Sequence, residues 1–364
     1  MSRHPGDARR FLTLRACVRT ALAAGIAAAA YLIGLPAFGV IFPHRPLSTA
    51  TMRFDGFIPL PVGQDRGLIS VLDYLTVEGG NLFVASIRPG AVFRVPLLGA
   101  DRIPTADAVA VMRGPPSAHG VVFDPVSGLG FVSRSDANTV DIFDPRTLAI
   151  KKRVPVPADV DGIFFDPVDG LVYAASGQPQ LGTLIDARHG AVVGQIRLGG
   201  TPESAVFDQR TGLFYQNLNS VNAVASVDPR KRAVINQWFL PSCDGPSGMA
   251  LDGKRRLLFI ACQRNSVMIV FDLKTHEITA KVPVGGGPDV VAYDAALGRI
   301  YTTGRSGRLM GLEDNGGRLR VLDQIQLEFA AHTLAVDPNT HRVYVGYLSL
   351  FRDPRLAVFS PLPE

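Results

Sequence analysis

A short phrase recurs six times along the chain. VFDPVSGLGFVS begins at Val122, FFDPVDGLVYAA at Phe164 and VFDQRTGLFYQN at Val206. ALDGKRRLLFIA begins at Ala250, AYDAALGRIYTT at Ala292 and AVDPNTHRVYVG at Ala335. The shared acidic position falls at Asp124, Asp166, Asp208, Asp252, Asp294 and Asp337, with successive gaps of 42, 42, 44, 42 and 43. A fixed period of this size marks a repeat architecture, and it limits the fold more tightly than local propensity does.

Within each period the chemistry reads as four strands. An apolar run leads into Asp-Pro-x-x-Gly, where Asp bonds its own downstream backbone, Pro presets φ and Gly accepts φ > 0. An aromatic and β-branched run follows, such as Leu171 to Ala175, suited to a buried pleated surface. A third run ends in hydrophobic-Asp, and a fourth alternates apolar and polar residues, as in Ile278 to Val284. Four strands with no room for a helix make the blade of a β-propeller. Blades bury their faces only against neighbours, so the ring must close.

Six units are explicit, and VLDYLTVEGGNLFVAS supplies a degenerate first one, aligned through Phe83 with Thr76 at the acidic position. The last unit offers three strands before the chain ends at Glu364, whereas MRFDGFIPLPVG, from Met52, reads like a fourth strand. The expectation is an all-β, seven-bladed propeller over residues 51–364. Its last blade is completed by the N-terminal strand, which leaves no free sheet edge there.

Residues 21–42 form an uncharged run, preceded by Arg3, Arg9, Arg10, Arg15 and Arg19 against Asp7 alone. The run is long enough to cross a bilayer as a helix. The reading is a cytoplasmic basic segment (1–20), a transmembrane anchor or signal sequence (21–42), a linker (43–50) and the propeller. Flanking positive charge puts the propeller outside, anchored in an inner membrane. A cleaved signal peptide, giving a secreted protein, is the rival. Of 37 basic and 32 acidic residues, six basic and one acidic fall in residues 1–45, which leaves 31 of each beyond. The basic balance therefore belongs to the membrane-flanking segment, and a neutral propeller argues against nucleic acid as partner. Cys243 precedes the first strand of one blade and Cys262 ends its antiparallel neighbour. The two thiols are placed to meet as a disulfide in an oxidising compartment, or remain unpaired.

The second-strand phrases Phe131-Val132-Ser133-Arg134, Tyr173-Ala174-Ala175-Ser176, Tyr301-Thr302-Thr303-Gly304 and Tyr344-Val345-Gly346-Tyr347 recur with Asn138 to Asp144 and with Val284 to Pro288. Through them the chain resembles the YVTN-type β-propeller repeat family, the YncE-like proteins, over about residues 50–364. The segment from Cys243 to Cys262 is similar to a variant of such proteins in which two cysteines flank a blade hairpin. The resemblance implies the fold and an exported protein. Some members are suggested to bind nucleic acid or cell-surface components, and no residue match carries a catalytic role.

In a propeller the start of each first strand lines the mouth of the central channel. Counting back five from each acidic marker gives His119, Asp161, Glu203, Ser247, Asp289 and His332, with Val71 in the degenerate blade. Loops around the same mouth add Arg134, Asn138, Asn217, Asn219, Gln263, Asn265 and Arg305. This reads as a polar concave site for a small molecule, peptide or protein. His119, Asp161 and Glu203, from consecutive blades, are the candidate ligands of a divalent metal ion. His332 and Asp289 form a second pair, and either His suits a general base. The remaining histidines, His189, His276 and His341, fall in turns and are expected to be exposed. A wet channel lined by polar residues without further role would look the same in sequence. Two functions follow: a membrane-tethered extracytoplasmic binding or scaffolding module working through the channel face, or a metal-dependent hydrolase or lactonase-like enzyme. No phosphate loop, nucleophile elbow or zincin helix is present.

Overall fold

The computed structural model describes residues 45–62, 69–99, 102–328, 330–350 and 353–362. The expected basic segment, the transmembrane or signal segment and the first linker residues lie outside them. Among the described residues no helix is long and apolar enough to cross a membrane.

Seven antiparallel sheets make seven blades. Blade 2 shows the repeat: Ala118–Asp124, Leu129–Arg134, Thr139–Phe143 and Ile150–Pro155 pair in sequence order. The first strands touch one another in order around the axis, and that of blade 7 (Thr333–Val336) touches that of blade 1 (Ile69–Glu78), so the ring is closed. Closure is made as expected. Blade 7 runs Thr333–Val336, Val343–Gly346, Arg355–Pro361 and then the N-terminal strand Met52–Pro59, paired from Met52↔Pro361 to Pro59↔Arg355. A short strand, Leu348–Leu350, adds to the inner edge of blade 1.

Packing follows from the repeat. The aromatic of each second strand is buried between neighbouring blades: the Phe83 and Phe123 rings lie 4.5 Å apart, and Tyr173 stacks on Phe214 at 4.7 Å. Buried Tyr173 keeps its hydroxyl bonded by donating to Gln216 Oε1 at 3.1 Å. Each core is thus shared by two blades, which is why one blade cannot fold without the next. The marker aspartates are turn caps. Asp166 Oδ1 accepts from the Val168 and Asp169 amides at 2.8 and 3.1 Å, and Asp124 Oδ1 from Val126 at 2.9 Å. Cys243 and Cys262 are disulfide-bonded, with their Cα atoms 5.1 Å apart.

Two local features set up the channel. Every first strand from blade 1 to blade 6 has a register shift at its channel-mouth end, as between Ala118/Val121, Val160/Ile163 and Pro202/Ala205. Such a bulge leaves one residue more than its partner strand and re-aims its side chain. Gly248 follows the bulged Ser247 because a Cβ there would overlap the Asp289 carbonyl of the next blade. The second feature corrects the alignment of blade 1. Its first hairpin turns through Glu78↔Asn81, whereas blade 2 turns through Asp124↔Leu129. The turn is two residues shorter, so counting through Phe83 lands on Thr76 when Glu78 holds the marker position.

Candidate functional site

The bulges gather side chains from separate blades at one end of the channel. Five residues back from Glu78 is Asp73, not Val71. Val71 pairs with Arg88 and Leu348 inside the sheet, whereas Asp73 sits in the bulge between Leu72 and Leu75. His119 Nδ1 lies 2.6 Å from Asp73 Oδ2 and 3.2 Å from Asp161 Oδ1, so blades 1, 2 and 3 meet at one imidazole. Its other nitrogen, Nε2, is 2.9 Å from Ser135 Oγ, which fixes the ring plane. Burial alone would push His119 down, but the Asp161 and Asp73 carboxylates outweigh it and raise it to about 10. Asp73 is itself raised, by burial first and then by the charge of Asp161.

Across the mouth, Asp289 of blade 6 accepts from Ser247 Oγ of blade 5 at 2.8 Å and from Gln263 Nε2 at 3.1 Å. His332 Nδ1 of blade 7 is 3.4 Å from its other oxygen. Burial favours the neutral acid here, but His332, Ser247 and the positive charge of Arg305 prevail and hold Asp289 below the usual carboxylate range. His332 is raised in return, the Asp289 and Asp73 carboxylates overcoming its burial.

Glu203 of blade 4 stands between the two clusters. Burial and then the charges of Asp161, Asp289 and Asp73 raise it to about 8, with Arg305 opposing. At neutral pH it is therefore largely a carboxylic acid with a proton to donate. Tyr74, next to Asp73, is held far above its ordinary range by burial and by the same carboxylates. Behind this rim the first strands line an open cavity of about 370 Å³ that runs along the channel to Val77 and Pro338 at the turn end. Its walls are mostly apolar, including Val121, Ile163, Val291 and Leu334.

Among the described residues, the group whose ligand atoms converge as a metal site would require is Asp73, His119 and Asp161, all within 4.8 Å of one another. Glu203 is not part of it. Asp73 takes the place that the sequence assigned to Glu203, because a three-ligand set needs a carboxylate on each side of His119 and blade 4 lies one blade too far round. Donors bound to one ion at about 2.1 Å sit about 3 Å apart, so the spacing found here fits. With Nδ1 on an ion, the Nε2 proton would donate to Ser135.

Two predicted rim residues are structural instead. Arg134 is fully buried. Its Nε donates to Asp141 at 2.9 Å and its Nη1 to the Gly90 and Pro115 carbonyls, which ties blade 2 to blade 1. Asn217, also buried, donates to the Ser247 carbonyl of the next blade at 2.8 Å. Arg305 is exposed and acts on the rim through its charge. Of the histidines assigned to turns, His189 and His276 are exposed. His341 is instead half-buried and bonded to Asp294 at 2.8 Å. Sequence reading missed Asp73, Tyr74 and Ser135. The signal for the first two was the Glu78-Gly79-Gly80-Asn81 turn, too short to carry the common spacing.

No family model matches the chain, and no curated protein is significantly similar to it.

Proposed function

We propose that the protein is a binding module that takes a positively charged group, carried on an apolar body, at the mouth of its channel. The observation that carries this is Asp161. Its Oδ1 is shielded from solvent and has no well-directed donor, in a cluster where burial and then neighbouring negative charge keep Glu203 protonated. His119 Nδ1 lies 3.2 Å from that oxygen without hydrogen-bond geometry; an incoming ammonium or guanidinium N–H supplies the directed donor, and the apolar cavity behind the rim receives the rest of the ligand. Small molecules, peptides and protein side chains with an ammonium or guanidinium group all fit this description. We place the module outside the cytoplasm, tethered by residues 21–42. The uncharged run behind its arginines supports the tether, the disulfide supports an oxidising compartment, and the likeness to YVTN-type repeats is in keeping with export.

The test is calorimetric titration with a panel of alkylammonium and alkylguanidinium compounds near pH 7.5. Binding should release a proton from Glu203, visible as a dependence of the heat on buffer ionisation enthalpy. Asp161→Asn should abolish binding and Glu203→Gln should abolish the proton release. Binding unaffected by Asp161→Asn would sink the reading.

The converging ligand atoms of Asp73, His119 and Asp161 favour a second reading, in which a divalent ion is the cation and the site is that of a metal-dependent hydrolase or lactonase-like enzyme. Such an ion would supply Lewis acidity, while His119 would have to give up its Nδ1 proton to join the set. Metal retained through dialysis in the wild type, lost in His119→Ala and increasing with pH up to 10, would select it. Metal-free protein with no ion-dependent melting shift would remove it.

A further inference from the structure

At the turn face, opposite the mouth, the repeats can be compared seam by seam. In blades 5 and 7 the residue four places after the marker reaches back to the marker of the blade before. Arg256 bonds Asp208 of blade 4 through Nη1 and the Tyr215 hydroxyl through Nη2 at 3.2 Å. His341 bonds Asp294 of blade 6 at 2.8 Å. Both stand at positive φ, 70° and 61°, where side chains are uncommon. At the seam of blades 5 and 6, Arg255 of the blade 5 hairpin takes Asp252 and the Tyr293 hydroxyl instead. Asp124 and Asp166 are capped by amides of their own turns.

The seam of blades 1 and 2 has none of these. The reaching position is Gly128, at φ 67°, and the blade 1 hairpin, two residues short, has only Gly79 and Gly80 at its tip. What remains is a cavity of about 260 Å³. The buried Phe83 and Phe123 rings, 4.5 Å apart, lie at its bottom, with Pro125 and Pro145 beside them. Two charged groups lining it have bonding capacity left over. Glu78, the marker of blade 1, is exposed, and its carboxylate has no partner among the described residues. Arg94 Nη1 donates to the Pro145 carbonyl at 2.9 Å and to that of Arg146, whereas its Nε and Nη2 have no partner among the described residues. That edge carries two parallel N–H groups, the arrangement that meets a carboxylate bidentately.

We infer that this seam binds a free aromatic amino acid, its ring on Phe83 and Phe123, its carboxylate on the Arg94 edge and its ammonium at Glu78. A cavity of about 150 Å³ holds benzene, so the larger one here has room for a ring with two small charged groups. An ammonium alone would sit beside Arg94, and a carboxylate alone beside Glu78; the zwitterion answers both. The site is separate from the mouth and does not rest on the proposed function.

The experiment is calorimetric titration of the full-length Asp161→Asn variant with L-phenylalanine. That background silences the mouth toward ammonium groups, so the heat reports on the seam. Phenylalanine should bind saturably. Phenethylamine, without the carboxylate, and 3-phenylpropanoate, without the ammonium, should each bind at least about tenfold more weakly. Glu78→Gln, at an exposed position, should weaken phenylalanine by about tenfold and not weaken 3-phenylpropanoate. Gly128→Arg should abolish binding, because a Cβ there meets nothing within 4 Å and the new guanidinium takes Glu78 as Arg256 takes Asp208. Gly212→Arg, the same change at the seam of blades 3 and 4, should leave binding intact. If Gly128→Arg does not fold, Glu78→Gln carries the test. No saturable heat with phenylalanine, equal binding of either single-charge analogue, or full binding by Glu78→Gln or Gly128→Arg would overturn the inference. Wild-type protein that binds phenethylamine through Asp161, beside an Asp161→Asn variant that binds no phenylalanine, would keep the mouth and remove the seam.

Discussion

The two ends of the channel use the same residue types for opposite purposes. At the turn face, aspartates accept hydrogen bonds from amides two and three residues ahead, and from arginines of the next blade, as Asp208 does from Arg256. Nearly every carboxylate of the inner turns there is matched by a donor the fold supplies. At the mouth, Asp73, Asp161 and Glu203 face one another and a single imidazole, and burial together with neighbouring charge raises Asp73 and Glu203 out of their ordinary range. A carboxylate at the turns is a structural part, whereas Asp161 at the mouth keeps an oxygen without a well-directed donor. Type and burial do not separate the two; the source of the compensating donor does.

Both faces exist only if the ring closes, so the largest effect should come from removing Met52–Pro59. Without it the blade 7 strand Arg355–Pro361 becomes a bare edge, and its cluster loses Met52, Phe54 and Phe57. Cooperative thermal unfolding should vanish, or the midpoint should fall by tens of degrees by circular dichroism. A small shift would mean the strand is dispensable.

Next comes the buried Arg134–Asp141 pair, of which the sequence placed Arg134 at the rim. Asp141→Ala leaves a guanidinium buried among carbonyls and should cost about 3–5 kcal/mol in denaturant unfolding. If ligand binding changed and stability did not, Arg134 would belong to the mouth after all.

The contrast between carboxylates is sharpest in a matched pair. Asp166→Ala, at a turn, should cost about 1–2 kcal/mol because two amides lose their acceptor, with no effect on cation binding. Asp161→Asn, at the mouth, should change stability by less than about 0.5 kcal/mol and remove the binding. Reversal of that pattern would collapse the distinction between the faces.

The smallest effect is the pH dependence, and its sign differs between the two ends. His119 is raised from 6.5 to about 10, so its contribution is complete below pH 6.5 and lost as pH rises toward 10. Glu203 is raised from 4.5 to about 8, so its neutral form stabilises the fold and that contribution fades between those values. Both slopes are downward between pH 6.5 and 8. At the turns, Asp144 is lowered, first by the Arg146 amide, so its contribution is present above pH 3.8 and lost as pH falls below that value. Melting temperature should therefore decline from pH 6.5 to 9, and His119→Gln with Glu203→Gln should flatten that decline while leaving the acid limb unchanged. A basic limb that persists in the double variant would place its origin elsewhere.

Much of this was written in the chain. The period near 42 required blades, the three-strand ending required the N-terminal strand to close them, and the position five before each marker picked out His119, Asp161, Glu203, Ser247, Asp289 and His332. The blades and their closure are legible because turn chemistry and strand alternation act within one repeat, and the same spacing locates the start of each first strand. Arg134 failed because its partners, Gly90 and Pro115, belong to the neighbouring blade and its connection, and no local rule tells a rim arginine from one that ties blades together. Asp73 was lost to a hairpin two residues short.

The sequence alone determined the wheel: its blade count, its seam and the residues that start each first strand. Only the tertiary structure decided which of those residues meet, because contact at the axis depends on the bulge and on how far one blade sits round from the next. It likewise decided that carboxylates from separate blades meet at one end and cap turns at the other. Charge totals are blind to direction, whereas alternating strands send successive turns to opposite faces.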